Sequence, residues 1–210
     1  MIGFVQGLGF GLLLCVLIGP IFFKILQTSI ERGKTPATVL AAGQWLGDLM
    51  YISLVWWGAK YIETAMNDEA VKQSFMQYVG GTGAVLLAIF GLVMLLVRPP
   101  ANIQQQQVSK AAYAGLFAQG FIINTINPFP IFFWLSLMAI TIKENYSFGD
   151  SFGLFVGTMG TVVGTDWLKI YLAVKIQSWL RPEYVLYIRR LGGLGLLIFA
   201  ALLCWRAFGG

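Results

Sequence analysis

From Met1 to Phe23 the chain carries no charged side chain. As a helix, roughly 20 such residues cross ~30 Å of hydrocarbon. Five more segments of similar character follow. The six begin at Ile2, Pro36, Phe75, Ala111, Ser151 and Leu191 and end near Ile30, Ala59, Val97, Ile142, Val174 and Phe208. Polar or turn-forming punctuation separates them, such as Arg98-Pro99-Pro100, the run Gln104 to Gln107, and Arg181-Pro182. These lengths exclude the short strands of a membrane β-barrel. With 58% hydrophobic residues against 11% charged, water cannot solvate this chain, which excludes a soluble enzyme and a disordered protein alike. The expectation is an all-α integral membrane protein whose first surrounding is the lipid bilayer. The first segment lacks a basic leader and a small-x-small cleavage site, so it reads as a retained span.

The net charge of +5 implies no nucleic-acid partner, because the positive residues are thinly spread between uncharged stretches. Their distribution predicts orientation instead, since cytoplasmic loops are enriched in Lys and Arg. One side holds nine: Lys24, Arg32, Lys34, Arg98, Lys110, Lys175, Arg181, Arg189 and Arg190. The other holds four, Lys60, Lys72, Lys143 and Arg206, together with Glu63, Asp68, Glu69, Glu144 and Asp150. Loops 1, 3 and 5 are therefore expected in the cytoplasm and both termini outside. Aromatic residues gather near span ends, as at Trp56, Trp57 and Tyr61, at Tyr146, and at Trp179, Tyr184 and Tyr187, where amphipathic rings suit the interface.

Three features recur in order along the two halves. Gly19-Pro20 precedes Ile21-Phe22-Phe23, as Asn127-Pro128 precedes Ile131-Phe132-Phe133. Gly43, Gly47 and Asp48 are spaced almost as Gly160, Gly164 and Asp166. Gly80-Gly81-Thr82-Gly83 matches Gly192-Gly193-Leu194-Gly195. An odd number of spans per copy makes the second enter from the opposite face, which predicts two inverted three-helix repeats: 1–97 and 111–210, joined by a loop at 98–110. The glycines Gly3, Gly7, Gly11, Gly153 and Gly157 have a plainer reading, as places where helices approach closely.

The first and fourth segments are too long for simple spans. Ala111 to Ile142 is 32 residues, about 48 Å as continuous helix. Pro20 and Pro128 fall where a break would lie inside the membrane, because proline removes a helical hydrogen bond and pushes its predecessor from helical angles. Unpaired backbone at that depth must be buried in protein or line a wet cavity. Helices 1 and 4 are thus expected to be broken at Pro, with free N–H groups at Pro20 or Pro128 available to an anion such as a carboxylate. Gln119, Asn124, Thr125 and Asn127, and less directly Thr28 and Ser29, are candidates to line the site.

Asp48, Asp166 and Lys169 lie well inside spans, where an ionised side chain costs about 2.5 to 3.5 kcal/mol. Matching positions in the two repeats suggest that Asp48 and Asp166 face one cavity and bind a substrate ammonium or carry a proton. Lys169 shares a helix face with Asp166, so a salt bridge between them is the alternative role. Asp48 in turn could be neutralised by Lys24 or Lys169, while Lys24 could meet a substrate carboxylate or snorkel to the interface.

The pattern Leu17-Ile18-Gly19-Pro20, Gly33, and Gly43-Gln44-Trp45-Leu46-Gly47-Asp48, followed by Gly120-Phe121-Ile122-Ile123-Asn124-Thr125-Ile126-Asn127-Pro128, resembles the LysE-type amino-acid translocator family, which includes the threonine and homoserine exporters. The resemblance implies a bacterial inner-membrane secondary transporter exporting small amino acids or related solutes, driven by protons. It points to Gly19, Pro20, Asp48, Asn124, Asn127 and Pro128. Two departures stand out: the family often has Asn after the first Gly-Pro and Lys after the fourth-span Asn-Pro. Here Ile21 and Phe129 take those places, which implies a less polar site.

Other classes fit less well. A thiol-disulfide relay would place a cysteine at each helix break, whereas Cys15 and Cys204 fall in non-equivalent spans and both read as membrane-packed thiols. An intramembrane aspartyl protease would need Gly two before the Asp, where Leu46 stands. The zinc-protease helix motif is excluded because the chain has no His. A cation or metal-ion transporter, or a passive channel, of the same broad fold is the runner-up, although the expected cavity lacks thiolates and imidazoles. The reading is thus a non-enzyme with no cofactor and no metal, acting on a small-molecule substrate and a coupling proton. Small-residue faces permit a homodimer without demanding one. A topology reporter fused after Gly210 is expected to read outside the cytoplasm; a cytoplasmic signal overturns the orientation.

Overall fold

Long apolar segments without internal caps fold as helices because only a helix satisfies its own backbone in hydrocarbon. The computed structural model describes residues 2–16, 20–67, 77–78, 81, 84–85, 87–89, 91–93, 95–96, 110–176 and 182–208. All regular structure among these residues is helical. The elements are α1 (Ile2–Val16), α2 (Pro20–Arg32), α3 (Lys34–Trp57), α4 (Ala59–Asn67), α5 (Lys110–Ile126), α6 (Pro128–Lys143), α7 (Phe148–Ile176) and α8 (Pro182–Phe208). Described residues between 77 and 96 are helical too. The connecting stretch 98–109 and Gly19 lie outside the described residues.

Local chemistry sets the boundaries. Gly33, at φ 85°, separates α2 from α3, and its N–H bonds back to the Ser29 carbonyl at 3.0 Å. Positive φ is a region that side chains resist and glycine does not. At the far end of α3 the chain turns at Gly58 instead of continuing, and α4 follows as a short extra helix that the hydropathy pattern does not announce. Its Ile62 reaches the apolar core while Lys60 and Tyr61 stay exposed.

Among the described residues, α3 is long and apolar enough to cross a bilayer by itself. The bent pair formed by 112–126 and 129–143 meets the same test together, with a 60° angle at its break. The radial pattern is the reverse of a water-soluble bundle. Leu46 and Trp167 are 46% and 59% exposed, whereas Asp48 and Asp166 are 2% exposed. Apolar groups outside and carboxylates inside suit a hydrocarbon surrounding.

Two helix crossings hold the bundle together, and both rest on glycine. In the α3–α5 crossing, a Cβ on Gly43 would strike the Phe117 carbonyl, and one on Gly120 would strike the Leu40 carbonyl. In the α1–α7 crossing, Gly3, Gly7 and Gly11 face the Asp150, Leu154 and Thr158 carbonyls, and Gly157 answers against Phe4. Close backbone approach of this kind supplies packing where water expulsion cannot. The sequence parallel between Gly43/Gly47 and Gly160/Gly164 does not extend to packing, however. Gly47 abuts the Asn124 side chain, while Gly160 and Gly164 face open space. A further crossing brings Gly91 against the Gly193 carbonyl in α8.

Gly120→Ala should therefore lower the thermal unfolding temperature of the detergent-purified protein by an amount equivalent to about 1–3 kcal/mol of overpacking. Gly115→Ala on the same helix meets nothing within 4 Å and should leave that temperature unchanged or slightly raised. Equal effects of the two in differential scanning fluorimetry would contradict the packing described.

Candidate functional site

Along α3 the buried face changes character twice. Ala37, Leu40 and Ala41 join Ile25, Leu116 and Ile170 in one apolar cluster. Tyr51 and Val55 join Phe133, Trp134, Leu137, Met138, Leu154 and Phe155 in another. Between the two lies a polar layer containing Gln44, Asp48, Asn124, Asn127 and Asp166, all buried. This layer surrounds a cavity of about 60 Å³. That is room for roughly two waters. The cavity is also lined by Ile21, Phe22, Phe129, Pro130, Lys169 and Cys15.

Asp48 is held by neutral donors. Its Oδ1 accepts from Asn124 Nδ2 and Trp134 Nε1, each at 3.1 Å. The Trp134 indole is fixed by stacking on Phe155 at 5.8 Å between centroids. Asn124 Nδ2 also bonds the Gln44 carbonyl at 3.1 Å, locking α5 to α3 beside Gly47. Neither Lys24 nor Lys169 pairs with Asp48, so the neutralised arrangement considered from sequence does not form. Lys24 sits half-buried on α2 outside the cavity lining.

Asp166 is held differently. Lys169 Nζ lies 2.9 Å from its Oδ1, while Trp45 Nε1 and Gln44 Nε2 donate to Oδ2 at 3.0 and 3.3 Å. Lys169 also approaches the Phe22 ring at 5.6 Å. The two carboxylates thus share one cavity, and only Asp166 has a cation beside it among the described residues.

The fourth segment stops at Ile126 and resumes at Pro128, with Asn127 extended between them (φ −72°, ψ 118°). Asn127 Oδ1 accepts the Phe129 N–H at 3.1 Å, and the Asn127 N–H returns to the Ile123 carbonyl. Tyr51 Oη donates to the Thr125 carbonyl, so the interrupted backbone is satisfied from α3. This corrects the expectation of free N–H groups at Pro128. Pro128 and Pro130 have no N–H and Asn127 occupies that of Phe129, leaving only the helix dipole for an anion. α2 starts at Pro20, and its first-turn residues Ile21 and Phe22 line the cavity, where N–H groups have no intrahelical acceptor.

Gln44, Trp45, Trp134 and Cys15 complete the site but are not among the site residues expected from sequence, although Gln44 and Trp45 stand in the family pattern. A signal existed for three of them. Gln44 and Trp45 precede Asp48 by one helical turn, and a Trp in mid-span needs a partner for its N–H. Cys15 corrects the expectation of a cavity without thiols: its Sγ lies 2.6 Å from Thr165 Oγ1 at the cavity edge. Gln119 is exposed and takes no part. A larger groove of about 1250 Å³ runs between α3 and α7, but Leu49, Trp56, Phe152 and Met159 are typical of its lining and no ionisable group faces it among the described residues.

An apolar-surfaced helix bundle with a polar cavity between apolar clusters is the arrangement a membrane transport protein requires. The chain belongs to the LysE type translocator family, whose model matches residues 12–207. It is 24% identical over 193 residues to the "Putative amino acid efflux protein YcgF" of Bacillus subtilis (strain 168), covering 90% of this chain and 88% of that protein. It is also 27% identical over 125 residues to the "Uncharacterized membrane protein YahN" of Escherichia coli (strain K12), covering 60% of this chain and 54% of that one. No solved structure matches the chain.

Trp134→Phe removes one of the two donors to a buried carboxylate and should cost about 1–3 kcal/mol of stability. Most of that cost should vanish when Asp48→Asn is already present, because the uncompensated charge is then gone. A double-mutant cycle on detergent-purified protein measures the coupling, and additive effects would show that the indole N–H does not serve Asp48.

Proposed function

We propose that this protein is a secondary exporter of amino acids or related small solutes in the bacterial inner membrane, driven by proton exchange through alternating access. The observation that carries this reading is the charge balance of the cavity. Lys169 offsets Asp166, and among the described residues Asp48 has neutral donors alone, so one negative charge there is uncompensated when Asp48 is ionised. A buried charge without a partner is costly. A proton or a substrate ammonium relieves that cost equally well, and each excludes the other. That competition is the core of an exchange cycle: substrate displaces the proton from Asp48 inside, and a proton displaces substrate outside.

The apolar clusters on both sides of the polar layer support a closed intermediate of such a cycle. A cavity of about 60 Å³ is smaller than an amino acid, so the helices must part to admit one. The two glycine crossings favour an architecture of six spans in two inverted repeats, 1–97 and 111–210, joined at 98–110. In each crossing, the first span of one half packs on the second span of the other: α1 on α7, and α5 on α3. In this scheme helices 1 and 4 are the broken pair, at Gly19-Pro20 and Asn127-Pro128, and loops 1, 3 and 5 face the cytoplasm. The start of α2 receives the substrate carboxylate, Asp48 its ammonium, and Asn124 keeps Asp48 aimed. The half-buried Lys24 one turn further on attracts anions toward that entrance. The Asp166–Lys169 pair holds α7 to α3 through Trp45 and Gln44.

In proteoliposomes loaded with an amino-acid panel, Asp48→Asn should abolish pH-gradient-driven efflux, at least a tenfold loss, while the protein still inserts and purifies. Full gradient-driven activity excludes Asp48 as the coupling site. Asp166→Asn alone should lose more activity than Asp166→Asn combined with Lys169→Met, since the single change strands a half-buried ammonium. Equal losses reject simple charge pairing.

A further inference from the structure

Among the described residues, one buried side-chain polar atom has no hydrogen-bond partner, the Gln44 Oε1. Gln44 is 7% exposed and lines the cavity with Asp48, which follows it by one turn on α3. Its orientation is set from the other end of the amide. Nε2 donates to Asp166 Oδ2, a carboxylate that can only accept, so the oxygen is the atom left over. Burying an acceptor with nothing to accept from is costly, and such an atom in a binding cavity marks the place of a missing donor. The donor must be an N–H or O–H group, because a second oxygen acceptor would repel it.

We infer that Gln44 reads the substrate's ammonium group, accepting one of its N–H bonds while Asp48 takes another. The inference rests on the exporter reading above and deepens it by naming the substrate class: primary or secondary amines with at least two N–H bonds on one cationic nitrogen. The cavity is also lined by Ile21, Phe22, Phe129 and Val162, apolar groups that suit a hydrocarbon side chain on the same molecule. A tertiary ammonium has a single N–H, which satisfies Asp48 and leaves Oε1 bare. The site therefore discriminates by counting donors, in the way that a buried polar group rejects a ligand lacking its partner. Asp166 and Lys169 act at one remove. They hold the amide by its NH₂, which leaves its oxygen without a donor beside the cavity.

The test uses purified full-length protein in liposomes and counterflow of the twenty proteinogenic amino acids supplied singly. The N-methyl and N,N-dimethyl forms of the one taken best are then compared. Wild type should prefer the N-methyl form over the N,N-dimethyl form by roughly ten- to a hundredfold, the value of one hydrogen bond to a charged donor. Gln44→Met keeps the volume and removes the acceptor, so that preference should fall toward the value set by size alone. A merely structural role for Gln44 lowers uptake of both forms together and leaves their ratio untouched, which overturns the inference and spares the exporter reading. Equal uptake of the two forms by wild type overturns it even if the variant does not purify, and assigns Oε1 to a held water only. Wild type that moves none of the twenty amino acids removes the exporter reading and this inference with it.

Discussion

A carboxylate carried into the interior of a membrane bundle must find its donors within that bundle, and Asp48 finds two, the Asn124 amide and the Trp134 indole. Much else in the arrangement answers to that requirement. Asn124 reaches Asp48 only because Gly47, Gly43 and Gly120 let α3 and α5 touch backbone to backbone. Trp134 points inward because the helix is interrupted at Asn127 and re-aimed by 60°. The apolar clusters above and below lower the local dielectric, where such hydrogen bonds count for more.

The interruption at Asn127-Pro128 shows how a membrane helix breaks without leaving orphaned groups. Proline removes the N–H that would have been unsatisfied, Asn127 caps the next one, and Tyr51 satisfies the Thr125 carbonyl. A break closed this completely offers an anion little beyond the dipole. The start of α2 differs, since its Ile21 and Phe22 line the same cavity.

The two acids illustrate the same divergence. Sequence spacing treats Asp48 and Asp166 as equivalents, yet among the described residues Asp166 has a lysine of its own helix beside it and Asp48 has no charged partner. Their glycines differ as well: Gly47 packs on Asn124, and Gly164 faces outward. Matching residues had suggested that the halves are copies. The packing gives the two acids different partners: Asn124 and Trp134 on Asp48, and Lys169, Gln44 and Trp45 on Asp166.

What the amino-acid order alone determined is the solvent of the protein and the residues that solvent makes expensive. Long uncharged runs can only be lipid-facing helices, and Asp48, Asp166, Lys169, Asn124 and Asn127 stand out against them because each carries a polar group that hydrocarbon cannot satisfy. Spacing along one helix also foretold the Asp166–Lys169 contact, since three residues is close to one turn. What only the tertiary structure decided is who satisfies whom between helices. That Lys24 stays away from Asp48, that Trp134 and Gln44 enter the site, and that Cys15 borders the cavity all depend on crossing angles and backbone separation. Those are set by cooperative packing of residues distant in the chain, and no local spacing encodes them.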